Sequence, residues 1–191
     1  MIRLIVCDLD ETLLDRDKNV SAGNRAAIRA FEASGGLFVP CTGRIYTSLE
    51  RTLRQLDALG KAGHYVISTN GALISENSGK VCCAKGVPAD KVQALIAYAR
   101  SHGMGVEVFA EDGTLYHEAL DERELRDLPL FVDDPLPLPE DVSFLKDIGV
   151  AKMLYERWDM PYLKQFAEQM DPSLKEGLEI SFSSDRYIEI N

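Results

Sequence analysis

Two aspartates two residues apart, Asp8 and Asp10, close the first apolar run of this 191-residue chain, in the order Asp8-Leu9-Asp10-Glu11-Thr12. On an extended backbone, residues two apart face the same way, so both carboxylates can address one ligand. Such a pair can hold a magnesium ion through oxygen, attack an electrophile with one carboxylate, and move a proton with the other. The same residues also fit two turn acids with Thr12 as a cap, so the pattern alone leaves both readings open. A second cluster, Thr42-Gly43-Arg44, ends another apolar run and opens a predicted helix. A hydroxyl, the backbone N–H groups of a helix N-terminus and a guanidinium make a phosphate cradle, although a plain N-cap with a solvated arginine fits too. The third cluster, Asn70-Gly71, reads equally as a ligand residue or a turn.

The elements between these clusters decide where they sit. Ile2 to Cys7 is an unbroken apolar run, as expected of a parallel strand buried on both faces. Ser21 is the expected N-cap of a helix through Ala27, Ile28 and Phe31 that closes at Gly35-Gly36. Leu37 to Cys41 predicts a second strand, with Pro40 tolerable near its end. Ile45, Leu49, Leu53, Leu56 and Leu59 predict one amphipathic helix, and Tyr65 to Ser68 a third strand. Strand, helix, strand, helix, strand is the rhythm of a parallel sheet, whose ligands bind beyond the carboxyl ends of the strands. All three clusters should therefore lie at one edge.

After about Ser75 the rhythm changes. Pro88 and Asp90 precede a predicted helix ending near Gly103, and Asp112-Gly113 marks a hairpin between Val106–Phe109 and Thr114–His117. Residues 129–139, with four prolines and with Asp133-Asp134, predict a surface loop. Val150 to Tyr155 reads as a strand, and Asp159 as the N-cap of a helix carrying Pro161 in its first turn. A second hairpin is expected around Ser183-Ser184-Asp185. This half predicts an α+β unit with half-exposed antiparallel strands. Asp121 to Glu124 reads as a solvated helix face, Trp158 as a packing residue, His117 as a surface residue, and Cys7 and Cys41 as buried strand thiols.

Composition narrows the partners. With 31 acidic against 21 basic residues the net charge is -10, which argues against nucleic acid and against an anionic membrane surface. No apolar run approaches the roughly 20 residues of a membrane span. The opening residues lack the pattern of a signal peptide, and the four cysteines lack C-x-x-C spacing, so reduced thiols in the cytoplasm are expected. The three histidines are too scattered for a zinc site.

Taken together, Val6-Cys7-Asp8-Leu9-Asp10-Glu11-Thr12-Leu13-Leu14, Cys41-Thr42-Gly43-Arg44 and Val66-Ile67-Ser68-Thr69-Asn70-Gly71-Ala72 resemble the haloacid dehalogenase superfamily of aspartate-nucleophile phosphatases. More narrowly they resemble its Cof-like branch with a type IIB cap, which Val150-Ala151-Lys152-Met153-Leu154 and residues 180–190 also match. The resemblance implies an α/β fold: a Rossmannoid parallel-sheet core, of which residues 1–81 are the N-terminal part, with an α+β cap over residues 82–191. It implies that Asp8 attacks phosphorus and that Asp10 protonates the leaving oxygen and then activates water. Magnesium would be held by the Asp8 carboxylate and the Asp10 backbone carbonyl. Thr42 would bind the phosphoryl group, with Gly43, Arg44 and Asn70 lining the site, and the substrate would be a small phosphorylated metabolite, usually a sugar phosphate.

Two departures from the family pattern stand out. Glycine is usual where this chain has Glu11, and the expected lysine and Gly-Asp-x-x-Asn-Asp stretch would follow Asn191. The resemblance thus implies a chain truncated before its C-terminal core motifs and slow on its own, with strand 2–7 left as an uncovered edge open to self-association. A non-enzymatic binding or regulatory protein and a phosphomutase of the same superfamily remain the rival readings; a phospho-acceptor receiver domain lacks the large second domain.

Overall fold

A computed structural model describes residues 2–130, 132 and 134–191. Phe131 and Asp133, both in the predicted loop, lie outside the described residues. The chain divides into two compact units, Met1–Lys85 and Gly86–Asn191.

The first unit is built on a sheet of five strands: β1 (Leu4–Asp8), β2 (Leu37–Cys41), β3 (Tyr65–Ser68), β4 (Leu73–Glu76) and β5 (Val81–Ala84), side by side in that order. The first three run parallel, while β4 and β5 return antiparallel. The β4–β5 hairpin is absent from the sequence reading, although Ser78-Gly79 between two short apolar runs is a turn signal. Helix α1 (Ala22–Ala33) starts as expected, with the Ser21 hydroxyl accepting from the Asn24 N–H at 3.1 Å. The expected helix over 45–59 is broken: Ile45 is extended, Tyr46–Leu49 make a 3₁₀ turn, and only then does α2 (Glu50–Gln55) form. The apolar face survives the break, since Ile45, Leu49, Leu53 and Leu56 are all buried.

Strand β1 is not buried on both faces. Leu4, Ile5 and Val6 are 53%, 37% and 49% exposed, and among the described residues β1 pairs only with β2, so its other side is the uncovered edge expected above. Cys7 and Cys41 are accordingly half-buried rather than fully enclosed.

The second unit holds helix α3 (Ala89–Ser101), strands β6 (Gly105–Ala110) and β7 (Leu115–Glu118), helix α4 (Glu122–Asp127), and the short β8 (Leu136–Pro137) inside the predicted loop. There follow α5 (Leu145–Ile148), β9 (Val150–Glu156), α6 (Met160–Gln169), α7 (Pro172–Lys175), β10 (Ile180–Ser183) and β11 (Tyr187–Ile190). The sheet order is β10-β11-β9-β6-β7-β8, antiparallel except for β7–β8. Both predicted hairpins form, and Ser184 and Asp185 each take positive φ (53° and 56°), as a tight hairpin turn demands. Asp159 caps α6 through the Tyr162 N–H at 3.0 Å. Leu95, Ile96, Leu163 and Phe166 pack on Val106, Val108, Met153 and Tyr155 to make the core on one sheet face.

The other face corrects the expectation of half-exposed strands. Every residue of β6 and β9 is buried, and the α4 region meets this face through the Asp121 N–H, which donates to Glu156 Oε2 at 3.1 Å, and through Glu124. Glu124, read as solvated, is 2% exposed: its carboxylate accepts from Arg186 Nε at 2.7 Å and from the Tyr187 hydroxyl. Trp158, in contrast, is exposed and flanked by the guanidinium groups of Arg123 and Arg186. Beneath α4 lie Glu107, Glu156 and Lys152, all buried. Burial, together with the neighbouring Glu124, lifts the Glu107 carboxyl to about 8. Burial also raises Glu156 and lowers Lys152, whose ammonium stands 3.5 Å from Glu189.

Folding therefore takes up a proton at Glu107 between its ordinary 4.5 and about 8. The unfolded chain binds fewer protons than the folded one in that window, so stability falls as pH rises through it, by up to about 1.4 kcal/mol per pH unit. Thermal melts of the chain at pH 5, 6, 7 and 8 should show a declining midpoint, and Glu107→Gln should flatten that decline. A midpoint that climbs over this range contradicts a protonated Glu107.

Candidate active site

Register sets the three clusters level. Asp8 pairs with Cys41, and Cys41 with Ile67, so parallel strands β1, β2 and β3 end together at one edge. Beyond Asp8 the chain makes a single wide turn over Leu9–Leu13, closed by the Leu14 N–H bonding to the Leu9 carbonyl at 2.9 Å. Leu9 and Leu13 are buried, while Asp8 is exposed and Asp10 half-exposed, which turns both carboxylates away from the core. The Thr12 hydroxyl donates to Asp8 Oδ2 at 2.9 Å, so this threonine serves the carboxylate rather than a helix.

Asp10 is the most heavily engaged acid of the edge. Arg44 grips both of its oxygens, Nε to Oδ2 at 2.8 Å and Nη2 to Oδ1 at 2.5 Å, and Lys18 Nζ reaches Oδ1 at 2.7 Å. Partial burial works against the charge, but the hydrogen bonds and positive charges of Arg44 and Lys18 outweigh it and hold Asp10 below the usual carboxylate range. Bidentate arginine–carboxylate pairing is both strong and directional.

The loop that carries Arg44 is shaped from the β3 side. The Thr42 N–H donates to the Ile67 carbonyl (2.9 Å), the Thr69 N–H to the Arg44 carbonyl (2.9 Å) and the Asn70 N–H to the Thr42 carbonyl (3.2 Å). Thr69, Asn70 and Gly71 take φ of 49°, 58° and 96° in succession, a left-handed run that only glycine adopts without strain. Thr42 is buried and its hydroxyl accepts from the Arg44 N–H at 3.1 Å. These bonds hold the loop 42–45, which bends at Gly43 and Arg44 and is extended at Ile45, out of helical form, so no helix begins at Thr42. The helix-terminal phosphate cradle expected there is therefore absent; what remains is a hydroxyl and a guanidinium on a braced loop that includes Gly43. Below it, the Ser68 and Thr69 hydroxyls are buried without a hydrogen-bond partner.

The strand-end arrangement thus joins Asp10 to Arg44 by side chains, Thr42 to Asn70 by backbone, and Asp8 to Asp10 by a shared turn. Sequence reasoning missed Lys18 and the Thr12–Asp8 bond. Nothing in the spacing of Lys18, eight residues after Asp10, gave it away. Among the described residues no group of three or more His, Cys, Asp or Glu side chains forms a metal site by itself.

Comparison with known proteins adds the context. A family model described as haloacid dehalogenase-like hydrolase matches residues 5–191. The phosphatase YwpJ of Bacillus subtilis is 28% identical over 167 residues, 87% of this chain and 56% of YwpJ. The 5-amino-6-(5-phospho-D-ribitylamino)uracil phosphatase YwtE of the same organism is 26% identical, over 88% of this chain and 65% of the relative. A haloacid dehalogenase-like hydrolase from Bacteroides thetaiotaomicron superposes on the whole chain with a TM-score of 0.80 at 22% identity, covering 71% of that structure. The chain thus spans somewhat over half the length of these curated relatives.

Glu11 sits in the turn at φ 58°, ψ 9°, a left-handed conformation. Such a conformation costs a side-chain-bearing residue roughly 1–2 kcal/mol, of which glycine's greater freedom in the unfolded chain returns roughly 0.5–1. Glu11→Gly is therefore expected to stabilise the chain by about 0.5–1 kcal/mol in urea unfolding, and Glu11→Val to destabilise it. A glycine variant less stable than the parent would show that the glutamate side chain makes a compensating contact.

Proposed function

The chain belongs to the haloacid dehalogenase-like hydrolases, Cof type, and from that premise we propose that it serves a magnesium-dependent phosphatase of small organic phosphates, sugar phosphates foremost. The observation that carries this reading is the pair Asp8 and Asp10 at the end of β1, turned outward together, with Asp10 alone clamped by cations. Two like acids in two different environments suit two different roles. Asp8, held by one neutral hydroxyl, is left as the nucleophile: its oxygen attacks phosphorus, the ester bond breaks, and an aspartyl phosphate forms. Asp10 carries the proton transfers: protonated in each cycle against the pull of Arg44 and Lys18, it gives that proton to the departing alcohol oxygen, then takes one from the water that releases phosphate and regenerates Asp8.

The donors present fit magnesium. The Asp8 carboxylate and the Asp10 backbone carbonyl are hard oxygens, and magnesium characteristically takes one or two carboxylates with substrate phosphate and several waters. When bound, it supplies neutralisation between a carboxylate nucleophile and an anionic substrate, which a chain of net charge -10 otherwise repels. The Thr42 hydroxyl is suited to donate to the phosphoryl oxygens, with Gly43 and Asn70 on the braced loops beside it. We assign the second unit, residues 86–191 of the 82–191 expected from the sequence, the role of a cap that reads the leaving group, in a cytoplasmic protein. We also read the free edge of β1, with Leu4, Ile5 and Val6 exposed, as a place where a further strand adds, from a second copy or another polypeptide.

Leaving-group chemistry tests the assignment of roles. An alkyl phosphate needs a proton on its departing oxygen, whereas p-nitrophenolate leaves unaided. Asp8→Asn should abolish turnover of both esters. Asp10→Asn should slow an alkyl phosphate by about 10²-fold or more and p-nitrophenyl phosphate far less. Equal losses on the two esters would remove Asp10 from the proton transfer.

A further inference from the structure

Lys18 is presented to the edge by a segment built with more care than a surface lysine needs. Leu14 and Val20 bridge antiparallel, and the Asp15 N–H bonds the Asn19 carbonyl at 2.9 Å. Inside this turn Asp15 Oδ1 accepts from the N–H groups of Asp17 and Asn19, both at 2.9 Å, and the Lys18 N–H donates to the Asp15 carbonyl at 3.0 Å. The turn is then tied to α2: Asn19 Oδ1 accepts from Arg51 at 2.8 Å and Gln55 at 2.9 Å, and the Val20 N–H donates to Gln55 Oε1 at 2.6 Å. At its tip Lys18 itself takes a left-handed φ of 59°. Strain of that kind in a residue with a side chain persists only where surrounding bonds impose it, and it concentrates at functional sites.

The lysine so presented ends on Asp10 Oδ1, the oxygen that Arg44 Nη2 also holds. Arg44 grips Asp10 in one plane from the β2 loop, and a single planar clamp leaves the carboxylate free to swing with the guanidinium. A second cation, anchored through α2 instead of β2, fixes the remaining freedom. We propose that Lys18 is a positioning residue that, acting with Arg44, holds the Asp10 carboxylate in the orientation from which it exchanges protons with the leaving oxygen. The inference rests on the reading of Asp10 as the acid–base group, and concerns how that group is aimed. Proton transfer demands heavy-atom approach of roughly 2.6–3.2 Å, so a carboxylate released to other rotamers loses turnover without losing substrate affinity. Stability is a minor consideration, because an ion pair whose partners are 49% and 36% exposed contributes little to folding.

The test uses Lys18→Met and Lys18→Arg in the full chain with magnesium. First, the hydrogen-bond scalar coupling between Lys18 15Nζ and Asp10 13Cγ is measured in solution; a resolved coupling that Asp10→Asn removes is expected, and its absence overturns the proposal. Second, in crystals of Lys18→Met the Asp10 carboxylate should leave its present rotamer or split between two; an unmoved carboxylate overturns the proposal. Third, Lys18→Met should lower kcat on an alkyl phosphate about tenfold with KM within twofold and p-nitrophenyl phosphate nearly unaffected, and Lys18→Arg should restore it. An unchanged kcat on the alkyl ester, or equal losses on both esters, overturns the positioning role. A chain that hydrolyses neither ester overturns the phosphatase reading instead, and the coupling and the rotamer still decide the placement of Lys18.

Discussion

The site has to solve an electrostatic problem before any chemistry is possible. Two carboxylates stand two residues apart at the end of β1, in a chain of net charge -10, where the proposed ligand is itself an anion. Like charges 4 Å apart repel by about 1 kcal/mol in water and about 4 kcal/mol at the effective dielectric of a protein surface. The structure answers this asymmetrically. Arg44 and Lys18 both converge on Asp10, while the Asp8 carboxylate accepts from the neutral Thr12 hydroxyl. One acid is thereby neutralised by protein, and the other is left to be neutralised by whatever binds.

Much of the first unit follows from delivering those two cations. Arg44 must stand off the end of β2, which requires the bent loop 42–45 to stay out of the helix that the apolar spacing from Ile45 onward predicts. Three backbone bonds from the β3 end impose this, and they in turn need the left-handed run Thr69–Gly71. Lys18 must arrive from another direction, which requires the Asp15–Asn19 turn and its anchors on α2. Glu11, Lys18, Thr69 and Asn70, four of the side-chain-bearing residues with positive φ, lie around the proposed site. The second unit obeys a different constraint: α4 closes the far side of its sheet, and the acids trapped beneath it shift toward their neutral forms.

What the sequence disclosed and what it withheld divide along the range of the interactions. Ser21 and Asp159 were legible as caps, and Asp112-Gly113 and Ser184-Asp185 as hairpin turns, because each is satisfied within a few residues of itself. The Asp-x-Asp, Thr-Gly-Arg and Asn-Gly clusters were legible as one edge because parallel strands must end together. Glu124 was misread because its partners, Arg186 and Tyr187, lie some sixty residues on. The helix expected at Thr42 failed for the same reason, since the bonds that hold the loop open come from β3 and the turn after it. Lys18 was invisible because a lysine in a polar turn looks the same whether it meets water or a carboxylate eight residues back. The parallel order of β1 to β3 and the two hairpins of the second unit, in short, follow from local pattern, but the unequal surroundings of the two aspartates follow from contacts that pattern does not encode.

The central claim is that Asp8 becomes covalently phosphorylated. Brief incubation of the chain with magnesium and acetyl phosphate, followed by acid quench, borohydride reduction and peptide mass spectrometry, reads the site of any acyl phosphate as the alcohol it leaves behind. Homoserine is expected in place of Asp8 and in place of no other aspartate. Reduction at Asp10 or elsewhere, or release of phosphate with no reduced residue at any time point, would contradict it.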